Sequence, residues 1–127
     1  MVWRRAHALT LNVYRVVRLK GRREHAALIN QARRAAMSIP AKIAEKCARA
    51  TQRDFRKFLN ISYASAAELE YHLILARDLG LLGASEFRSL TDQVAQVRMM
   101  LAGLLKRVSQ GGDGPARRRG HVAVADG

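Results

Sequence analysis

The chain has 127 residues, 49% of them hydrophobic and only 6% aromatic, with two prolines and one cysteine. That length suits one domain with an aliphatic core, and it excludes disorder over most of the chain. The lone cysteine excludes a disulfide framework and a cysteine-based zinc site, no uncharged run is long enough to span a bilayer, and the net charge of +13 asks for an anionic partner.

The first predicted helix runs from about Val2 to Leu19, because Trp3, Ala6, Leu9, Val13 and Val16 or Val17 recur at three and four residues and form one stripe. Gly21 punctuates its end, after Arg18 and Lys20 in a last turn that favours cations. The second helix begins near Arg23 and presents Leu28, Ala32, Ala35, Ala36, Ile39 and Ile43. Pro40 removes one hydrogen bond there. The stripe stays in phase from Ala36 to Ile43, which favours one kinked helix over a restart capped by Ser38.

Thr51 opens the third helix with a near capping box that uses Asp54 in place of the usual Glu. Phe55, Phe58, Leu59, Ser62, Ala66, Leu69, Leu73 and Ala76 form its stripe, the slim run 64–67 admits a close neighbour, and Gly80 stops it before Leu81 and Leu82 fold back. The fourth helix starts at Ser85 and ends before Gly111, with Phe87, Leu90, Val94, Val97, Leu101, Leu104 and Val108 in strict three-four alternation. Short connections predict an all-α, antiparallel up-down four-helix bundle over residues 1–110. Residues 111–127, with their glycines and Arg117-Arg118-Arg119, read as a disordered basic tail. Ile29, Ile61, Ile74, Leu75, Met100 and Leu105 lie beyond the main stripes, so some of them are expected to bury between subunits of a homo-oligomer.

The charge is concentrated. Residues 1–57 carry fifteen Lys and Arg against Glu24, Glu45 and Asp54, whereas residues 58–110 carry five of each sign. Like charge gathered in this way works against compactness, and a polyanion such as nucleic acid offsets it. The alternatives are an acidic protein partner and a merely solvated arginine-rich surface. Arg33, Arg34, Lys42, Lys46, Arg49, Arg53, Arg56 and Lys57 recur along the second helix and the start of the third, and are the expected phosphate contacts. Arg33 flanks the apolar stripe, so it is expected to pair with an acid on a neighbouring helix, Glu68 or Glu70. Tyr63 and Tyr71 lie outside this basic zone, which favours backbone contact with structured RNA or a duplex over sequence-specific single-strand binding.

Catalytic templates fail on spacing. Glu68 and His72 stand four apart and make an ordinary helix-surface pair. Cys47 has no histidine in its own turn, His7, His25 and His121 stand alone, and no glycine-rich phosphate loop follows a strand. The expectation is a protein that is not an enzyme and needs no metal or cofactor. The basic start lacks a following small-residue cleavage site, so no secretory signal is expected and the cytoplasm is the expected compartment.

The block from Gln31 through Arg33-Arg34 and Ser38-Ile39-Pro40 to Ile43-Ala44-Glu45 resembles the signature of the ribosomal-RNA intervening-sequence proteins. The likeness continues through Asp54–Ile61, Ala67–Glu70 and Leu79–Leu82, covers about residues 2–108, and has Trp3, Ala6, Leu9 and Tyr14 suited to the family's first helix. The resemblance implies a closed four-helix bundle that assembles into a ring, often of five subunits. It also implies kinship with the accessory protein of diversity-generating retroelements, a basic ring that works with a reverse transcriptase and its RNA. Two departures stand out: Lys46-Cys47-Ala48 follows the Ala-Glu pair where the family usually has Gly, and Lys42 replaces the usual Asn. Both add cations or stiffness at the end of the second helix.

Overall fold

The computed structural model describes residues 2–17, 25–46 and 51–111, with the backbone alone for Lys46 and residues 109–111. Four helices follow in order: α1 Val2–Val16, α2 Ala26–Lys46, α3 Gln52–Asp78 and α4 Ala84–Gly111. Each helix packs on its sequence neighbours, and α4 closes the square against α1. Every pairing is antiparallel. Thr10 meets Ala36 while Tyr14 and Val17 meet Arg33; Ile39 meets Ser62 while Ser38 meets Ser65; Glu70 meets Arg98 while Arg77 lies on Phe87. The core is the continuous aliphatic cluster expected from the stripes, with Leu9, Val13, Ile39, Ile43, Leu59, Leu69, Leu73, Leu90 and Leu101 all shut away from solvent.

Helix ends follow their local chemistry. At α3, Thr51 accepts a hydrogen bond from the Asp54 N–H at 3.1 Å, as the near capping box predicts. At its other end, Gly80 adopts φ +79°, and the Leu81 N–H reaches back to the Ala76 carbonyl at 2.8 Å. That turn drives Leu81 and Leu82 into the core. α4 starts one residue before Ser85, because the Gly83 carbonyl already accepts from Phe87 and the Gly83 N–H donates to Glu86. It also continues through Gly111, where the expected tail was to begin. α1 ends at Val16 and α2 begins at Ala26, and the predicted extensions through residues 18–19 and 23–24 lie outside the described residues. The expected stop at Gly21, Cys47 and the tail from residue 112 onward lie outside the described residues.

Two stripe assignments change. Trp3 is 40% exposed, and Val2 takes the inward position at the head of α1. Ile29, expected to be left over for a subunit contact, is fully buried within its own chain.

The helix α2 runs unbroken past Pro40. Proline has no N–H, so the carbonyl of Ala36 loses its partner within the helix. The Thr10 hydroxyl of α1, itself buried, supplies a replacement at 2.9 Å. On the other side of the proline turn, the Ser62 hydroxyl donates to the Ile39 carbonyl at 3.1 Å, and Ser38 and Ser65 share a bond of 2.9 Å. Small side chains at these positions of α3 let α2 approach closely enough for those bonds.

Candidate nucleic-acid interface

The eight basic residues singled out in the sequence divide into groups. Arg33 is half-buried and structural, but its partner is not an acid. Its Nη2 donates to the carbonyls of Val17 at 3.1 Å and Tyr14 at 3.4 Å, and its guanidinium stacks on the Tyr14 ring 4.8 Å away. These are carbonyls at the end of α1, which have no partners in their own helix, and a cation there also complements the helix dipole. The expected pairing with Glu68 or Glu70 is therefore replaced. Glu68 takes His72 at 3.3 Å, the predicted i,i+4 contact, and Glu70 takes Arg98 at 2.7 Å. Arg98 donates a hydrogen bond to the Tyr63 hydroxyl oxygen, and this bond together with the Glu70 charge raises the Arg98 pKa above its ordinary value despite partial burial.

Arg34 is exposed in the middle of α2. Lys42 is half-buried, pairs with Glu45 at 3.3 Å and sits 5.8 Å from the Phe58 ring centre. Arg53 and Lys57 are exposed and Arg56 half-buried on the first turns of α3. Arg49 and the side chain of Lys46 lie outside the described residues. Eight residues separate Arg34 from Lys42, about 12 Å along the helix at 1.5 Å per residue, and the two point about 80° apart. Arg34 therefore stands apart from Lys42 and the cations that begin α3.

The antiparallel arrangement adds cations that spacing alone does not reveal. The start of α1, the end of α2, the start of α3 and the end of α4 share one end of the bundle. Arg4 and Arg5, Lys42, Arg53, Arg56 and Lys57, and Lys106 and Arg107 gather there, with Glu45 and Asp54 as the acids among the described residues. Arg5 is tied to Gln96 of α4, while Arg4 is exposed.

Charge is also unequal from side to side. α1 contains no acidic residue, and α2 contains Glu45 alone. In contrast, α3 holds four cations and four acids. The α1–α2 side is therefore the cationic side of the bundle. It also carries the exposed aromatics Trp3 and Tyr14, which the periodicity hid by assigning Trp3 to the core. Among the described residues no group of three His, Cys, Asp or Glu could hold a metal ion. No helix among them is long and apolar enough to cross a membrane.

A family model described as 23S rRNA-intervening sequence protein matches residues 1–103, and the chain belongs to that family. Among solved structures it is similar to a protein of unknown function from the S23 ribosomal protein family of Bacteroides thetaiotaomicron VPI-5482. The two share 21% identity with a TM-score of 0.78, over 84% of this chain and 99% of that one, a likeness of fold. No protein of curated description matches.

Proposed function

We propose that this member of the 23S rRNA-intervening sequence protein family is an RNA-binding protein that is not an enzyme, and that it grips phosphates with the α1–α2 side and the adjoining start of α3. The observation that carries this reading is the one-sided charge: the seven Lys and Arg of α1 and α2 face Glu45 as their sole acid within those helices. Folding gains nothing from that imbalance, whereas phosphate neutralisation releases counterions and turns it into affinity. Arg34, Lys42, Arg53, Arg56 and Lys57 are the proposed contacts, joined by Arg4, with Lys46 and Arg49 proposed from the sequence alone. The family's name, with its reference to ribosomal RNA, supports RNA as the polyanion.

The same reading includes a homo-oligomer. Tyr71, Ile74 and Leu79 leave apolar surface on α3 and the turn that follows it. Burying these side chains between copies would leave the α1–α2 side of each copy free for RNA.

The test is RNA affinity measured across a salt series, with sedimentation run in parallel. The expected result is a log–log slope of about −0.7 to −0.9 per phosphate contact. Flat affinity between low and moderate salt would refute the electrostatic grip. Binding to polyglutamate but not to RNA would assign the cationic side to an acidic protein instead, and a monomer at micromolar concentration would remove the oligomer.

A further inference from the structure

Trp3, His7, Leu11 and Tyr14 recur at four, four and three residues, which places them within about 80° of one another on the outer side of α1. All four are exposed. The rings of Trp3 and His7 stack with centroids 5.0 Å apart and planes within 10°. Tyr14, at the other end of the row, lies under the Arg33 guanidinium at 4.8 Å. Arg4 and Arg15 flank the row on α1, and exposed Met37 continues the apolar surface onto α2.

We propose that this row is a stacking platform for unpaired bases, so that the cationic side takes single-stranded or looped RNA in preference to a continuous duplex. The inference rests on the RNA-binding reading above and narrows it. Flat aromatic faces set among cations are what an unpaired strand uses, its bases stacking while its phosphates meet the charges. In a duplex the bases are already stacked on each other, and the platform has nothing to receive. The Trp3–His7 pair is already a two-ring stack, and a base added to its outer face extends it. Charge argues against a face-to-face pairing of two copies through this row: it would bring Arg4 and Arg15 against Arg4 and Arg15, with no acid in α1 to relieve them.

Trp3 is the sole tryptophan of the chain, so indole emission, excited apart from the tyrosines, reports on this platform alone. The full-length protein is titrated with a short oligouridylate and, separately, with an RNA duplex of equal phosphate content. The expected result is saturable quenching by the single strand, little quenching by the duplex, and tighter binding of the single strand. Binding measured on fluorescein-labelled RNA should fall about fivefold to a hundredfold for the single strand in Trp3→Ala, with Trp3→Phe close to the parent and duplex affinity unmoved. His7→Ala gives an independent loss if Trp3→Ala lowers helicity. Equal binding of both RNAs with unchanged emission would overturn the platform while leaving the phosphate grip intact. Failure to bind either RNA would overturn both. Emission that shifts with protein concentration in the absence of RNA would assign the row to contact between copies and overturn the proposal.

Discussion

Removing the hydroxyl of Thr10 while keeping its shape tests how α2 tolerates Pro40. In Thr10→Val the Ala36 carbonyl, buried and deprived of a donor by the proline, loses the bond that reaches it at 2.9 Å. Leaving a buried carbonyl unsatisfied costs about 1–3 kcal/mol. For a domain of this size each kcal/mol moves the melting temperature by about 4 °C, so the expected fall is about 4–12 °C. The same hydroxyl lies 3.0 Å from the Ala6 carbonyl, but that oxygen is within reach of its own helical N–H and is not orphaned by the change. Pro40→Ala restores an N–H to α2, and in that background Thr10→Val should cost under about 0.5 kcal/mol, the ordinary scale for a change that touches no special feature. The assay is thermal and urea unfolding of the full chain at fixed protein concentration, combined as a double-mutant cycle. An equal cost in both backgrounds would refute the account, since the hydroxyl would then be stabilising something other than the proline gap.

Arg33→Met should destabilise the protein by about 1–3 kcal/mol through loss of charged hydrogen bonds to the last carbonyls of α1, while RNA affinity per folded molecule stays near the parent value. Arg33→Lys should recover only part of that stability, because an ammonium lacks the planar fork and stacks poorly on Tyr14. Arg53→Gln with Lys57→Gln should lower the salt slope of RNA binding by about 1.4–1.8 and change stability by less than about 0.5 kcal/mol; an unchanged slope would remove the start of α3 from the interface. Gly80→Ala should cost about 1–2 kcal/mol in urea unfolding although no atom lies within 4 Å of the added methyl, because φ is +79°. A neutral outcome would show that the turn relaxes to another conformation.

The core was legible because period and burial obey the same geometry: Leu9, Val13, Leu69, Leu73, Leu101 and their partners are where the stripes put them. Trp3 was not, since Val2 lies only one position away and a large amphipathic ring gains from sitting at the edge with a partner such as His7. The structural character of Arg33 was visible from its place beside the stripe. Its partners were not, because backbone carbonyls have no letter in a sequence and a search for acids passes over them. Thr10 and Ser62 were missed as bonding groups, although Pro40 gave a usable signal: a proline inside a helix demands a donor from somewhere for the carbonyl four residues earlier. The basic site was legible as a composition and not as a shape. Spacing along the end of α2 and the start of α3 suggested one line of cations, and the antiparallel topology keeps Lys42, Arg53, Arg56 and Lys57 at one end of the bundle while adding Arg4, Lys106 and Arg107 from helices that looked unrelated to them.

The unequal division of charge between the helix pairs also acts before any contact is made. A body cationic on one side and nearly balanced on the other feels a torque near a polyanion, and it rolls its α1–α2 side forward during the approach. A larger fraction of collisions then begins in a productive orientation, so removing a peripheral cation such as Arg15 slows arrival more than it hastens departure. Added salt shortens the range of this alignment to about 8 Å at physiological ionic strength and to about 3 Å at molar salt.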